Sequence, residues 1–179
     1  VECGSAGKAS CTMYFGGSGG SDNIVEYCTF ETSDVILEKS AGESVAVMIS
    51  EGDLDDGDPV KNHILRKNTI KKYGYGIVVG SSNTTVNQYG HVIEYNDLEE
   101  CLNDGLLVKC GDTLVRGNLL HNCRKHSIRV MAGCSTVIDS NRIDRCGNGI
   151  RINGSGHTVV NNCIIRTVSE AVTVCGSGR

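Results

Sequence analysis

Three short strand-like patterns place cationic side chains on one face. They are Gly105-Leu-Leu-Val108, Ser127-Ile-Arg-Val130 and Gly149-Ile-Arg-Ile152. Strand side chains alternate between faces. Leu106, Val108, Ile128, Val130, Ile150 and Ile152 are therefore expected to point inward, and Leu107, Lys109, Arg129, Met131, Arg151 and Asn153 outward. One strand spacing across and two residues along put the Cα atoms of Lys109 and Arg129 roughly 8 Å apart. A lysine amine beside other positive charge loses affinity for its proton and can serve as a base. Arginine forks grip carboxylates. Arg124, Lys125 and His126 lie in the adjoining turn and extend the cationic patch. Glu94, Asn96, Asn103 and Asp104 sit at the coil edge beside it and offer the oxygen ligands that a hard cation takes.

An internal repeat supplies the scaffold. Asn96-Asp-Leu-Glu-Glu-Cys101, Asn118-Leu-Leu-His-Asn-Cys123, Asn141-Arg-Ile-Asp-Arg-Cys146 and Asn162-Cys-Ile-Ile-Arg-Thr167 superpose at spacings of 22, 23 and 21 residues. Earlier copies begin at Asn68 and run through Ile24–Phe30. This period, with several short strands per unit, predicts an all-β, single-stranded right-handed parallel β-helix of about 21–23 residues per coil. A leucine-rich repeat shares the period, but its leucine framework is missing. The recurrent Asn suits a turn column whose amides bond along the stack and which tolerates left-handed φ. Residues 1–179 read as one β-helix domain, with a Gly/Cys-rich segment over 1–22 and an acidic loop insertion over 50–60.

Composition agrees. The chain of 179 residues has 23 Gly, no Trp and 2 Phe, so its core must come from Val, Ile, Leu and Cys. No apolar run approaches the length of a membrane span. No signal peptide is visible, and Val1 opens a polar segment that reads as a mature chain or a fragment. Ten Cys point to a secreted or periplasmic location. Cys101, Cys123 and Cys146 share a repeat position, where either one disulfide or a buried thiol ladder fits. Cys110 with Cys134, and Cys3 with Cys11, are further candidate pairs. Charge is uneven: residues 1–104 carry a net −10 and residues 105–179 a net +6, which suggests an anionic partner or a bound cation near the junction. The basic face lacks aromatic side chains for base stacking, so no nucleic-acid partner is expected. A monomer is expected.

The order of Gly76-Ile-Val-Val-Gly, Val92-Ile-Glu-Tyr-Asn-Asp-Leu, Gly105-Leu-Leu-Val-Lys109, Arg116-Gly-Asn-Leu-Leu-His-Asn-Cys, Ile128-Arg129 and Gly149-Ile-Arg-Ile-Asn-Gly resembles polysaccharide lyase family 6 over roughly residues 62–165. That family includes alginate lyases and chondroitinase B. The resemblance implies β-elimination on a uronate-containing anionic polysaccharide, with Lys109 as base and Arg129 as acid or stabiliser of the leaving oxygen. It further implies Ca2+ to neutralise the substrate carboxylate, with Glu94, Asn96, Asn103 and Asp104 as candidate ligands. Arg151, Arg124, His126 and Lys125 would hold neighbouring carboxylates. The sequence departs from the family pattern in two places. Val130 follows Arg129 where the family has His, and Leu102 replaces one calcium-ligand Glu.

Rival readings come from the same residues. A glycan-binding or structural β-helix without catalysis fits the altered motif. A hydrolase would need two carboxylates about 5–10 Å apart, whereas the outward positions offer Lys and Arg. An epimerase of the alginate type would need a Tyr/His/Asp cluster that is not evident. The run Asp53-Leu-Asp-Asp-Gly-Asp58 reads as a calcium loop or a solvated insertion, and no catalytic role is expected of it.

Overall fold

The computed structural model describes residues 11–16, 20–32, 44–50, 59–80, 88–131 and 135–176. The acidic run 53–58, Cys3 and Cys134 lie outside them. Every regular element in the described residues is a strand, and every strand pairing is parallel. The outer wall carrying the cations is a seven-stranded sheet of β1 (Cys11–Phe15), β4 (Val45–Ile49), β8 (Tyr75–Val79), β12 (Leu106–Val108), β15 (His126–Val130), β18 (Asn148–Asn153) and β21 (Val172–Cys175). A second wall stacks β2 (Ile24–Glu26), β6 (Ile64–Arg66), β10 (Val92–Glu94), β13 (Leu114–Arg116), β16 (Val137–Asp139) and β19 (Thr158–Val160). A third stacks β3 (Thr29–Glu31), β7 (Thr69–Lys71), β11 (Asp97–Glu99), β14 (Leu119–His121), β17 (Arg142–Asp144) and β20 (Cys163–Ile165), and β5 (Val60–Lys61) pairs with β9 (Gln88–Tyr89) in a short separate ladder. Each coil contributes one strand to each wall. The architecture is the right-handed parallel β-helix that the repeat predicts.

The core consists of stacked columns. Ile77, Leu106, Ile128 and Ile150 share one register on the first wall, and Val79, Val108, Val130 and Ile152 another. All are buried, as strand alternation predicts. The recurrent Asn forms the expected ladder. Asn118 Oδ1 accepts from Asn96 N at 2.9 Å and Asn96 Nδ2 at 3.0 Å, while Asn118 Nδ2 donates to Ile93 O at 2.9 Å and Asn141 Oδ1 at 3.0 Å. The same pattern links Asn68 to Asn96 and Asn141 to Asn162, over 28 and 21 residues. The coil between Asn68 and Asn96 is thus longer than the predicted 21–23 residues.

Two expectations need correction. Left-handed φ falls not on the ladder Asn but on the residue before it: Lys67, Tyr95, Gly117, Ser140 and Asn161. Five successive coils repeat this at three corners five residues apart, as in Asn62, Lys67 and Lys72 (φ 56°, 55° and 61°) or Ser135, Ser140 and Arg145 (φ 62°, 55° and 52°). One left-handed residue turns the chain from wall to wall, and the next side chain points into the core. At the third corner that inward residue is Cys101, Cys123 or Cys146, which are buried free thiols rather than disulfide partners. Cys110 is also a free thiol.

Candidate functional site

The three outer walls treat charge differently. On the second wall the register Glu26, Arg66, Glu94, Arg116, Asp139 alternates in sign from coil to coil. Its ion pairs include Arg66 with Glu26 and Arg116 with Glu94, each at 2.6 Å. On the third wall the register Glu31, Lys71, Glu99, His121, Asp144 alternates likewise, with Lys71 and Glu99 at 2.9 Å. These two walls neutralise themselves rung by rung. The first wall shows no such alternation within its central column. Its outward column runs Val78, Leu107, Arg129, Arg151, Thr173, so two arginines stand directly opposite each other on neighbouring strands. Like charges in that relation are unfavourable.

Lys109 follows β12, two residues beyond Leu107, which is the partner of Arg129 in register. The expected offset of one coil and two residues therefore holds, and both side chains lie on the outer wall. Lys109 is half-buried, and its main-chain N–H donates to Val79 O at 2.7 Å. Burial and, next, the charge of Arg129 hold its amine below the ordinary lysine range, with Asp104 opposing them. Leu107 also faces outward but is only 4% exposed. It packs with Val45 and Val78 in a small second apolar cluster and is no part of a solvated cationic face.

Asp104 lies beneath the cations and is 1% exposed. Its Oδ1 accepts from His126 Nδ1 at 2.8 Å, and its Oδ2 pairs with Arg129 Nε at 2.9 Å. Two glycine contacts explain why Asp104 faces outward. A Cβ on Gly105 would meet Leu120 Cδ2 at 2.7 Å and Cys123 Sγ at 3.3 Å, both of them interior atoms. Gly76 one coil earlier is aimed the same way, at Leu98 and Cys101. Residue 105 therefore points inward like Leu106. This break in alternation turns the preceding residue out. Asp104, His126, Asn148 and Glu170 then form a column at 22-residue intervals, a spacing that the sequence displays and that the expected ligand set did not use. The Glu170 carboxyl is held below its usual range by the Ser169 hydroxyl and, further down, by Arg151 and His126. Arg124 and Lys125 are exposed in the turn before β15, their N–H groups bonded to Cys101 O and Asn103 O.

The four candidate calcium ligands are not brought together. Glu94 sits on the second wall, paired with Arg116. Asn96 points into the core, its amide nitrogen donating to Leu65 O and Asn118 Oδ1 and its oxygen accepting from Asn68. Asp104 is engaged by His126 and Arg129, and Asn103 bonds through its main-chain N–H to Gly74 O at 2.7 Å. A hard cation needs several oxygens converging on one point, and these residues do not provide them. Among the described residues no group of three or more His, Cys, Asp or Glu side chains is placed to hold a metal.

The parallel coils, the continuous ladder and the charged wall define the class of protein. A family model described as "Right handed beta helix region" matches residues 57–179, more than half of the chain. The chain belongs to the right-handed β-helix family. No curated protein and no solved structure matches it.

Proposed function

We propose that the protein cleaves a uronate-containing anionic polysaccharide, alginate-like or a glycosaminoglycan, by β-elimination. The observation that carries this reading is the half-buried Lys109 beside Arg129, on the one wall whose arginines are stacked without alternating acids. Lys109 takes the C5 proton of a uronate. The electron pair forms the C4–C5 double bond and the C4–O4 bond breaks. The departing oxygen is stabilised by Arg129 N–H donors and takes a proton from solvent. Arg151 and His126 hold the sugar carboxylates close to the reacting bond, and Arg124 and Lys125 hold those further along the polymer. Such polymers lie outside the cell, and we assign the protein a secreted or periplasmic location on that ground. The resemblance to polysaccharide lyase family 6 supports the same chemistry.

The test is incubation with alginate, chondroitin, dermatan, pectate and glucuronan, following the ultraviolet absorbance of the new carboxylate-conjugated double bond. Wild type should produce it on one of them. Lys109→Ala and Arg129→Ala should each lose roughly a hundredfold or more of the rate, with circular dichroism unchanged. Undiminished turnover in Lys109→Ala would remove the lysine from the mechanism.

A second reading is capture of the same polymers without cleavage. It is favoured by Arg129 being already paired with Asp104 and by the Val130 that follows it. Calorimetric binding of an oligouronate with no absorbance change on any of the five polymers would select it.

A further inference from the structure

Asp104 is a fully buried carboxylate that faces the outer wall, where exposed acids would ordinarily sit in water. A carboxylate taken out of solvent is costly unless each oxygen finds a partner. Both of its partners here come from the next coil: His126 Nδ1 hydrogen-bonds Oδ1 at 2.8 Å, and Arg129 Nε lies 2.9 Å from Oδ2 as an ion pair without hydrogen-bond alignment. Each contact restricts the partner as well. With Nδ1–H given to Asp104, His126 presents Nε2 as its other ring nitrogen. The ion pair with Asp104 draws the guanidinium of Arg129 to this spot, next to Lys109. Arg151 stands in register one coil on, and its Nε is buried without a hydrogen-bond partner. The wall thus gathers donors around a single buried anion, and the carboxylates that a cation would need lie elsewhere.

We propose that Asp104 is a positioning residue that clamps Arg129 and His126 side by side, making a metal-free receptor for the carboxylate of a uronate substrate. This deepens the proposed function and rests on its reading of the wall as uronate-binding. The placement of Arg129 is supplied by the fold, and the neutralising charge comes from side chains instead of calcium.

Calorimetric titration of mannuronate, guluronate, galacturonate and chondroitin tetrasaccharides in the presence of a chelator tests this directly. Wild type should bind at least one of them, and Asp104→Asn should bind it about tenfold or more weakly. The sign is decisive. Asp104→Asn makes the wall more positive, so a carboxylate that is merely nearby predicts tighter binding of an anion. Tighter or unchanged binding in Asp104→Asn overturns the proposal. If that variant does not fold by circular dichroism, Arg129→Lys replaces it. This variant keeps the charge but loses the planar fork, and the same tenfold loss is expected, with unchanged affinity overturning the proposal.

Two measurements on the ligand-free protein separate failure of the clamp from failure of the uronate reading. Calcium chloride alone should give no saturable binding heat, and saturable heat that disappears in Asp104→Asn would make Asp104 a metal ligand instead. In a carbon-13 lysine-labelled chain, the Lys109 resonance should titrate at lower pH in Asp104→Asn, because the carboxylate opposes the downward shift. An unmoved Lys109 titration would show that the clamp does not reach the lysine. If no tetrasaccharide binds but Lys109 shifts and calcium does not bind, the clamp stands and the uronate reading falls.

Discussion

Replacing Asn118 with Ala tests what holds the coils in register. Asn118 sits in the middle of the ladder, 1% exposed, and its side chain makes four hydrogen bonds. Truncation leaves the buried main-chain N–H of Asn96 without its acceptor, a loss of about 1–3 kcal/mol. The three other bonds contribute about 1 kcal/mol each. Together these give roughly 4–6 kcal/mol, a large share of the roughly 5–15 kcal/mol by which domains are stable. The ladder is continuous from Asn68 to Asn162, so the gap should also divide the stack into two less coupled halves. Urea unfolding followed by far-ultraviolet circular dichroism would measure both effects, as a lower midpoint and a broader transition. Asn161→Gly is the control. It keeps the left-handed φ of 56° accessible and removes only an exposed bond to Asp139, so its midpoint should stay within about 1 kcal/mol of wild type. An Asn118→Ala protein equally close to wild type would refute the ladder as the source of register.

Acid should weaken the fold through two stacked histidines. The His63 and His91 rings are buried with centroids 5.4 Å apart. Burial, then the charge of His63, pushes His91 down to about 4 from an ordinary value of 6.5, and burial also lowers His63. The folded state therefore refuses a proton that the unfolded chain accepts. Stability is complete above pH 6.5 and falls as pH drops toward 4, by roughly 3 kcal/mol for His91 alone. Denaturant midpoints across that range should show this slope, and His91→Thr, which matches the Thr113 and Thr136 of later coils, should flatten it. Thiol chemistry should divide the cysteines sharply. Cys163 is exposed, whereas Cys101, Cys123 and Cys146 are buried. The thiol of Cys146 is pushed far up by its neighbour Cys123 and by burial, and burial pushes the buried Cys110 up to about 11. Iodoacetamide followed by peptide mapping should modify Cys163 in the native protein, and these four only after denaturation. Rapid native labelling of Cys123 would contradict the buried column.

Much of the architecture was written in residue spacing. The Asn at intervals of 22, 23 and 21 residues predicted stacked coils, the Cys at the same position placed a column there while leaving a disulfide or buried thiols open, and alternation around Leu106, Ile128 and Ile150 assigned the inward face. These features are legible because each depends on a residue type recurring at one place in a repeat, where stacking brings it against its own copies. The pairing of Asp104 with His126 and Arg129 was not legible. Counting alternation backward from Leu106 sends residue 104 into the core, but Gly105 and Leu106 both face inward, because only a residue without Cβ fits against Leu120 and Cys123 there. The left-handed corners fall one residue before the expected Asn for a related reason. Lys67, Tyr95, Glu100 and Arg145 adopt a conformation that their own preferences disfavour, and the hydrogen bonds and packing of neighbouring coils hold them in it. Local sequence thus determined that coils form and which residues fill them. Contacts between coils decided which way the chain turns at each corner, and so which charges meet on the outer wall.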